Sequence, residues 1–450
     1  MKMKRIMALL TAGTMAFMLA ACGGSTSSDS SSSDSSASGD TAASSDTASS
    51  DSASADGTTI ELLNGKPEID TQLQALADAY KEASGVTVKV TTVGGSNQAT
   101  ASDTLKKDYQ AGTMPDIFVA EANQFENWKG MLVDMSGEKW ASDTNYAFTN
   151  DDGTVGFPCY IEGWGLAYNA DVLEKAGIDP TTLTSPDAYK TAFETLESKK
   201  DELGITAVVD YGANNANLGW STGTHLFGQY LDAGIISGQD SKYFDLLSDG
   251  GQIDEQRMTD FANFIDLIQQ HCDKDIATQG TYDQETALFA QGKAAFVTQG
   301  SWFGANLTSS DDYKAAPFKC GIAPFAFEDG IDTICGGATG YWACYNGDNV
   351  DAAKAFLQWC SEADAQKIFV EQCGFNSPFN SITETSDDPF AAAIVSYRDA
   401  NKFSNMNTFM KKDGLQNETG QVFEDFAKGN LDVAAFVSTI TQVSQNYYAK

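Results

Sequence analysis

From residue 58 onward the hydrophobic positions fall into short alternating runs separated by longer runs with helical spacing. Residues 58–63 read as a strand, and Asn64-Gly65-Lys66-Pro67 as the turn that closes it. Ile69, Leu73, Leu76, Ala77 and Tyr80 share one face of a helix that stops before Gly85. Val86, Val88 and Val90 alternate as the next strand, which Gly94-Gly95 ends. A helix over about 98–110 and an apolar strand at 114–120 follow. This alternation marks an α/β layer with a mostly parallel sheet, and ligands on such sheets bind beyond the carboxyl ends of the strands. Those ends carry Asn64 and Lys66, then residues 94–97, then Glu121, Asn123 and Gln124.

The pattern changes between 152 and 169. The run DGTVGFPCYIEGWGLAYN opens with turn chemistry, continues in β-formers and aromatics, and sets Glu162 inside an otherwise apolar stretch. A carboxylate there needs water or a hydrogen-bonding partner, because burying it alone is costly. Gly163 and Gly165 flank Trp164 and leave room for a bend or for close approach by another group. The stretch reads as chain that crosses between two lobes and floors a cleft, with a plain core strand as the alternative.

Beyond it, a short helix runs from 169 to Gly177, and Ser185-Pro186 caps and opens another. A strand at 205–209 leads to a polar, glycine-rich loop at 211–223 that contains Trp220. Helices are expected around 226–231, 254–271 and 282–291. A strand at 294–298 then delivers Gln299-Gly300-Ser301-Trp302. A short strand near 320–324 precedes Cys335-Gly336-Gly337 and Gly340-Tyr341-Trp342. The remainder reads as amphipathic helix over about 350–372, 388–400, 417–429 and 431–447, interrupted at 374–378.

The ends and the composition narrow the setting. Lys2, Lys4 and Arg5 precede an apolar run from Ile6 to Ala20, too short and wrongly flanked for a spanning helix, so 1–21 reads as an export signal. Leu19-Ala20-Ala21-Cys22-Gly23-Gly24 resembles a bacterial lipoprotein cleavage site, which implies lipid attachment at Cys22. An ordinary cleavage site with an incidental cysteine is the alternative. Acyl chains there would anchor the chain without a transmembrane helix. After Cys22 the chain to Gly57 is almost wholly Ser, Ala, Thr, Gly and Asp, with nothing to bury, and is expected to be a disordered tether spanning roughly 30 Å. Residues 58–450 are comfortable for two lobes.

The net charge is −34; removing the tether's six aspartates and the three basic residues of the signal leaves the folded part near −31. Such a surface argues against nucleic acid or an anionic ligand as partner. The two histidines, His225 and His271, stand far apart in sequence, which disfavours a histidine-based zinc site. Asn150-Asp151-Asp152-Gly153 hints at calcium but lacks the alternating ligands and distal glutamate, so it reads as a turn. Cys159, Cys272, Cys320, Cys335, Cys344, Cys360 and Cys373 are odd in number and form no CxxC. Buried free thiols are the favoured reading, with Cys335–Cys344 or Cys360–Cys373 open as pairs.

Three segments carry a resemblance. The most specific is 283–302, DQETALFAQGKAAFVTQGSW, followed by Pro115-Asp116-Ile117-Phe118 and by the central crossing with Phe157-Pro158 and Leu166-Ala167-Tyr168-Asn169. In this order and spacing the chain resembles the extracellular carbohydrate-binding lipoproteins of ABC sugar importers, the maltose-binding-protein-like family. The resemblance spans 58–450. It implies an α/β, two-lobed periplasmic-binding-protein fold with three hinge crossings, near 159–165, 319–335 and 373–378, and a ligand cleft between the lobes. One lobe would comprise 58–161 plus 335–373, the other 164–323 plus 376–450.

It also implies a membrane-anchored monomer on the outer face of the bacterial cytoplasmic membrane. Such a protein closes on a sugar, most simply an oligosaccharide, and delivers it to permease subunits whose ATPase is another chain. No catalysis and no cofactor are expected.

A sugar presents hydroxyls at its rim and C–H patches on its faces, so aromatic rings and bidentate polar groups suit it. The chain places Trp164, Trp220, Trp302 and Tyr341 at loop or strand-end positions, with Lys66, Glu121, Asn123, Gln124, Glu162 and Asn376 beside them. Glu162 and Trp302 match positions at which the family contacts sugar, and Trp220 is a third match by position. Lys66 and Asn123 match more loosely, and Lys66 could equally be a solvated turn residue. Trp128, Trp140 and Trp359 read as core, and Trp342 as the inward neighbour of Tyr341. A glycosidase with paired carboxylates is the rival enzyme reading; no GxSxG, HExxH or P-loop occurs. A binding protein for a non-sugar solute, or one that presents its ligand to a sensor, remains open.

Overall fold

The computed structural model describes residues 57–94 and 99–450. The expected export signal, Cys22, the tether up to residue 56 and the strand-end residues 95–98 lie outside the described residues. Thirteen strands are described: β1 Thr59–Asn64, β2 Thr87–Thr92, β3 Ile117–Ala120, β4 Phe148–Asn150, β5 Gly153–Pro158, β6 Ile161–Trp164 and β7 Leu166–Asn169, then β8 Ala207–Asp210, β9 Ala294–Val297, β10 Cys320–Ala323, β11 Ile334–Ala338, β12 Tyr341–Cys344 and β13 Phe403–Ser404.

The first sheet has six strands in the order β2-β1-β3-β12-β5-β4. Its β2, β1 and β3 are parallel, as the strand–helix alternation requires, and the helix Asp70–Ser84 packs Leu73, Leu76, Ala77 and Tyr80 into the core before Gly85 ends it at φ 79°. The other half is antiparallel because β12 arrives from much later in the chain and β5 from the central run, so the sheet is mixed. The second sheet, β10-β7-β9-β8, carries the larger aromatic core around Tyr189, Phe193, Tyr230, Phe261, Phe296 and Phe423. A third, β13-β11-β6, holds only short strands.

The run 152–169 visits all three sheets in turn, as β5, β6 and β7. A Cβ on Gly165 would run into the Ala323 carbonyl, so the glycine lets β7 swing out beside β10. β6 pairs with β11 in antiparallel register, with Glu162 opposite Gly337, and the Ile161 amide donates to the Asn376 carbonyl at 3.0 Å. Three passages of the chain therefore meet at one place.

Several expectations differ from the structure. Only 211–214 of the expected loop 211–223 is irregular: Asn215–Trp220 is helical and runs on through a π-helical segment, Ser221–Leu226, into Phe227–Asp232. The glycines that suggested a loop are packing notches. A Cβ on Gly223 would strike the Gln416 carbonyl, and one on Gly420 would press on the Gly219 backbone, so this helix and Leu415–Ala427 approach closely. The expected helix 350–372 is broken into Val350–Cys360, Ala363–Lys367 and a π-helical end at Ile368–Gln372.

In the stretch 319–335, Cys320–Ala323 is a strand of the second sheet, and the chain reaches the third sheet only at Ile334. Past 376 the chain still belongs with the first core: Phe379 packs there and Asn380 and Ser381 bond to Asp143. All seven described cysteines are free, so neither Cys335–Cys344 nor Cys360–Cys373 is paired. No helix of the described residues is long and apolar enough to cross a membrane.

Candidate functional site

Glu162 has the partners its position demands. It is 3% exposed in β6, with Lys66 Nζ 2.7 Å from Oε1 and the Thr339 hydroxyl donating to Oε2. Lys66 also reaches Glu68 at 3.3 Å and lies over the Tyr160 ring, 4.8 Å from its centroid, and beside Phe375 at 5.9 Å. Asn64 shapes the turn behind it, accepting from the Lys66 amide at 3.1 Å and donating to its carbonyl at 2.7 Å. Burial alone would lower the Lys66 pKa; Glu162, Tyr160 and Glu68 outweigh it and hold the amine well above the usual lysine value. Lys66 is therefore a charged member of a buried cluster and no free turn residue.

A group of aromatic rings stands on the second-sheet side. β9 ends in the 3₁₀ turn Ser301–Phe303, and the Ser301 hydroxyl accepts from the Gly163 amide at 3.1 Å, which ties the Trp302 turn to the Glu162 strand. Trp302 is 7% exposed; its Nε1 donates to Gln299 Oε1 at 2.9 Å, and Gln299 Nε2 donates to Glu285 at 2.8 Å. Trp220, at 39% the most exposed of the described tryptophans, meets Trp302 edge-on at 6.1 Å and Tyr282 at 5.6 Å. Tyr282 lies against Trp220 with its hydroxyl donating to Asn306 Oδ1 at 3.3 Å; burial raises its phenol pKa first, and the charges of Glu68 and Glu285 add to the rise.

The remaining expected site residues divide. Trp164 is 2% exposed, donates from Nε1 to the His225 carbonyl at 3.1 Å, and packs on His225, Trp302 and Phe409; it backs the aromatic group instead of lining open space. Tyr341 is partly buried against Phe125 and Phe148, its hydroxyl donating to the Ala338 carbonyl at 3.3 Å. Trp342 points into the first core against Phe157 and Phe356, and Trp128 and Trp140 are buried there or beside it. Trp359 is partly buried against Tyr80 and Phe356.

Gln124 is used locally, its Oε1 accepting from the Glu121 amide at 3.1 Å. Asn123 reaches across to donate to the Lys411 carbonyl at 2.9 Å, leaving its buried Oδ1 without a partner. Burial pushes Glu121 up against the opposing pull of Lys411, and burial pushes Lys411 down to about 8. Asn376 is 6% exposed and contributes its carbonyl to Ile161.

The structure thus brings Lys66, Glu162, Trp220, Trp302 and Trp164 together, and sets Glu121 and Asn123 on a separate contact with residues 411–413. Sequence reasoning missed His225, Tyr282, Thr339, Gln299 and Lys411. Tyr282 and Gln299 lie in or next to the most specific segment and were within its reach. A cation and a carboxylate beside exposed and half-exposed aromatic rings suit a polar ligand with apolar faces.

The chain matches the family model for bacterial extracellular solute-binding proteins over residues 75–394. Its fold is similar to that of a sugar transporter from Bacillus licheniformis in complex with stachyose: TM-score 0.66, 18% identity, covering 86% of this chain and 98% of that one. It is also similar to the binding protein RafE in complex with raffinose, at TM-score 0.69 and 18% identity over 86% of this chain and 99% of that one. The GacH receptor of Streptomyces glaucescens, solved unliganded and with acarbose, gives 0.69 and 19% over 87% and 99%. The comparison with curated proteins finds no match.

Proposed function

Because the chain belongs to the family of bacterial extracellular solute-binding proteins, we propose that it captures a carbohydrate, an oligosaccharide in particular, between its two lobes and hands it to the permease of an ABC importer. The observation that supports this reading is that the Ser301 hydroxyl ties the Trp302 turn, with Trp220 edge-on to Trp302 and to Tyr282, to the strand that carries the Lys66–Glu162 pair. Charged groups there meet hydroxyls and the rings meet C–H faces. The solved structures with stachyose, raffinose and acarbose support a sugar as the ligand class.

Lobe 1 is 58–161 plus 335–373 in this reading, and lobe 2 is 164–323 plus 376–450, with 376–382 packed back on the first core. Closure is driven by the ligand's greater affinity for the closed form. No catalysis is part of this reading; the adjacent acids Asp210 and Glu285 are fully buried, and Glu285 serves to hold Gln299 under Trp302. The protein is read as a monomer held by lipid on Cys22 to the outer face of the cytoplasmic membrane, with residues 22–57 as the tether. Cys22→Ser should release it from membranes, and retention after a salt wash would contradict the anchor.

The test of ligand class is a thermal-shift screen of the purified protein against raffinose, stachyose, acarbose and simpler sugars, with amino acids and polyamines as controls. A sugar should raise the melting temperature in proportion to its concentration, and Trp302→Ala should weaken its binding by ~1–3 kcal/mol. A shift with a non-sugar solute alone would overturn the carbohydrate assignment.

A further inference from the structure

His225 is placed by a local departure from α-helical geometry. In an α-helix, residues five apart point about 140° apart around the axis. The i→i+5 ladder of a π-helical segment brings them to the same side. Ser221–Leu226 is such a segment, and Trp220 and His225 stand perpendicular to each other with ring centroids 5.5 Å apart. The imidazole lies 4.3 Å from the Trp302 ring, 5.1 Å from Trp164 and 5.8 Å from Phe409. Its Nδ1 is enclosed without a partner; Nε2 is the ring nitrogen left open, and no group among the described residues bonds to it.

Burial first, then the charge of Lys411, depress the imidazole pKa to about 3, with the Trp220 carbonyl opposing and Lys66 adding to the depression. The ring is therefore neutral at any ordinary pH, and it packs on Trp302, whose turn the Ser301 hydroxyl ties to the strand that carries Glu162. A packing role alone would be served better by phenylalanine, since an imidazole with an unpartnered enclosed nitrogen costs stability.

Resting on the carbohydrate reading, we propose that His225 is a specificity-determining ligand contact, its Nε2 hydrogen-bonding one hydroxyl of a sugar ring that lies against Trp220. A hydroxyl both donates and accepts, so either neutral tautomer makes the bond. The sugar ring is covered by Trp220 on its face and read by His225 at its edge, while the Lys66–Glu162 pair serves the opposite rim.

Raffinose, stachyose and acarbose are titrated calorimetrically into the purified protein, into His225→Phe, which keeps the ring packing, and into His225→Gln, which keeps an amide near the Nε2 position. For any sugar that binds the wild type, His225→Phe should lose roughly 3- to 10-fold in affinity with the unliganded melting temperature equal to the wild type's or higher. His225→Gln should recover part of the loss. One monodeoxy derivative of the sugar should lose a similar factor with the wild type and nothing further with His225→Phe.

A sugar that binds the wild type and His225→Phe equally well overturns the contact and leaves the carbohydrate reading standing. Binding of no sugar by the wild type overturns that reading and the contact with it. If His225→Phe does not fold, His225→Gln and the monodeoxy sugars decide: wild type and His225→Gln that respond alike to every monodeoxy derivative would overturn the proposal.

Discussion

Trp302 is held from behind by a chain of amide and acid groups. Its Nε1 bonds to Gln299, Gln299 to Glu285, and Glu285 also accepts from the Thr298 hydroxyl at 3.2 Å. Asp210 lies beside this acid, fully buried, with neither oxygen partnered. Burial pushes Glu285 up to about 8, and burial followed by Glu285 and Asp273 pushes Asp210 well above the usual carboxylate range. The unfolded chain would titrate a glutamate near ~4.3. Glu285 thus binds its proton more tightly in the folded state; its stabilising contribution is complete below the unfolded value and is lost as pH rises toward 8. Glu285→Gln stays neutral throughout. Relative to this variant, the wild type should lose stability between pH 5 and 8, by up to ~1.4 kcal/mol per pH unit, in urea unfolding. A stability difference independent of pH would show that Glu285 is ionised in the fold.

Single residues were legible in the sequence where physics made a demand. A carboxylate within an apolar run needs a partner, and Glu162 has Lys66 and Thr339. His225 made no such demand, because an isolated histidine has no pattern. Nor does the sequence distinguish Trp164, which backs the ring group, from Trp220, which is exposed.

Among the elements, the turn between β6 and β7 is a tight joint. Gly165 needs no unusual backbone angle; it needs the absence of a side chain beside the Ala323 carbonyl. Gly165→Ala forces backbone against backbone, since neither the turn nor β10 has a flexible end that can yield. It should cost ~1–3 kcal/mol by denaturant unfolding, and an unchanged midpoint would mean that β7 and β10 can separate freely. This joint was readable, because glycines flanking a tryptophan in a strand pattern signal close approach. The helix over Asn215–Asp232 was not. Gly219 and Gly223 are poor helix formers on their own, and only the helix Leu415–Ala427, some two hundred residues later, turns them into notches. Local propensity lost to a partner that local reading does not contain.

At the scale of the molecule, the two sides also touch away from the aromatic group. Asn123 donates to the Lys411 carbonyl at 2.9 Å, and Lys106 stands 3.8 Å from Asp413. The ion pair is half exposed and adds little; the amide bond is the firmer link, worth ~0.5–1.5 kcal/mol. The βαβ alternation and the single run through three sheets made two lobes legible, but a bond between residues 288 apart in sequence left no trace in periodicity.

In the proposed division Asn123 belongs to one lobe and Lys411 to the other, so on that reading the bond would bias the unliganded protein toward closure. Apparent affinity scales with the fraction of closed molecules. Asn123→Ala should therefore weaken sugar binding roughly 2- to 10-fold and enlarge the unliganded radius of gyration in small-angle scattering, while the liganded radius stays at the wild-type value. The two readings of Asn123 separate here. A direct ligand contact through its unpartnered Oδ1 would lower affinity with the unliganded radius unchanged. Only a link between the lobes moves both quantities at once.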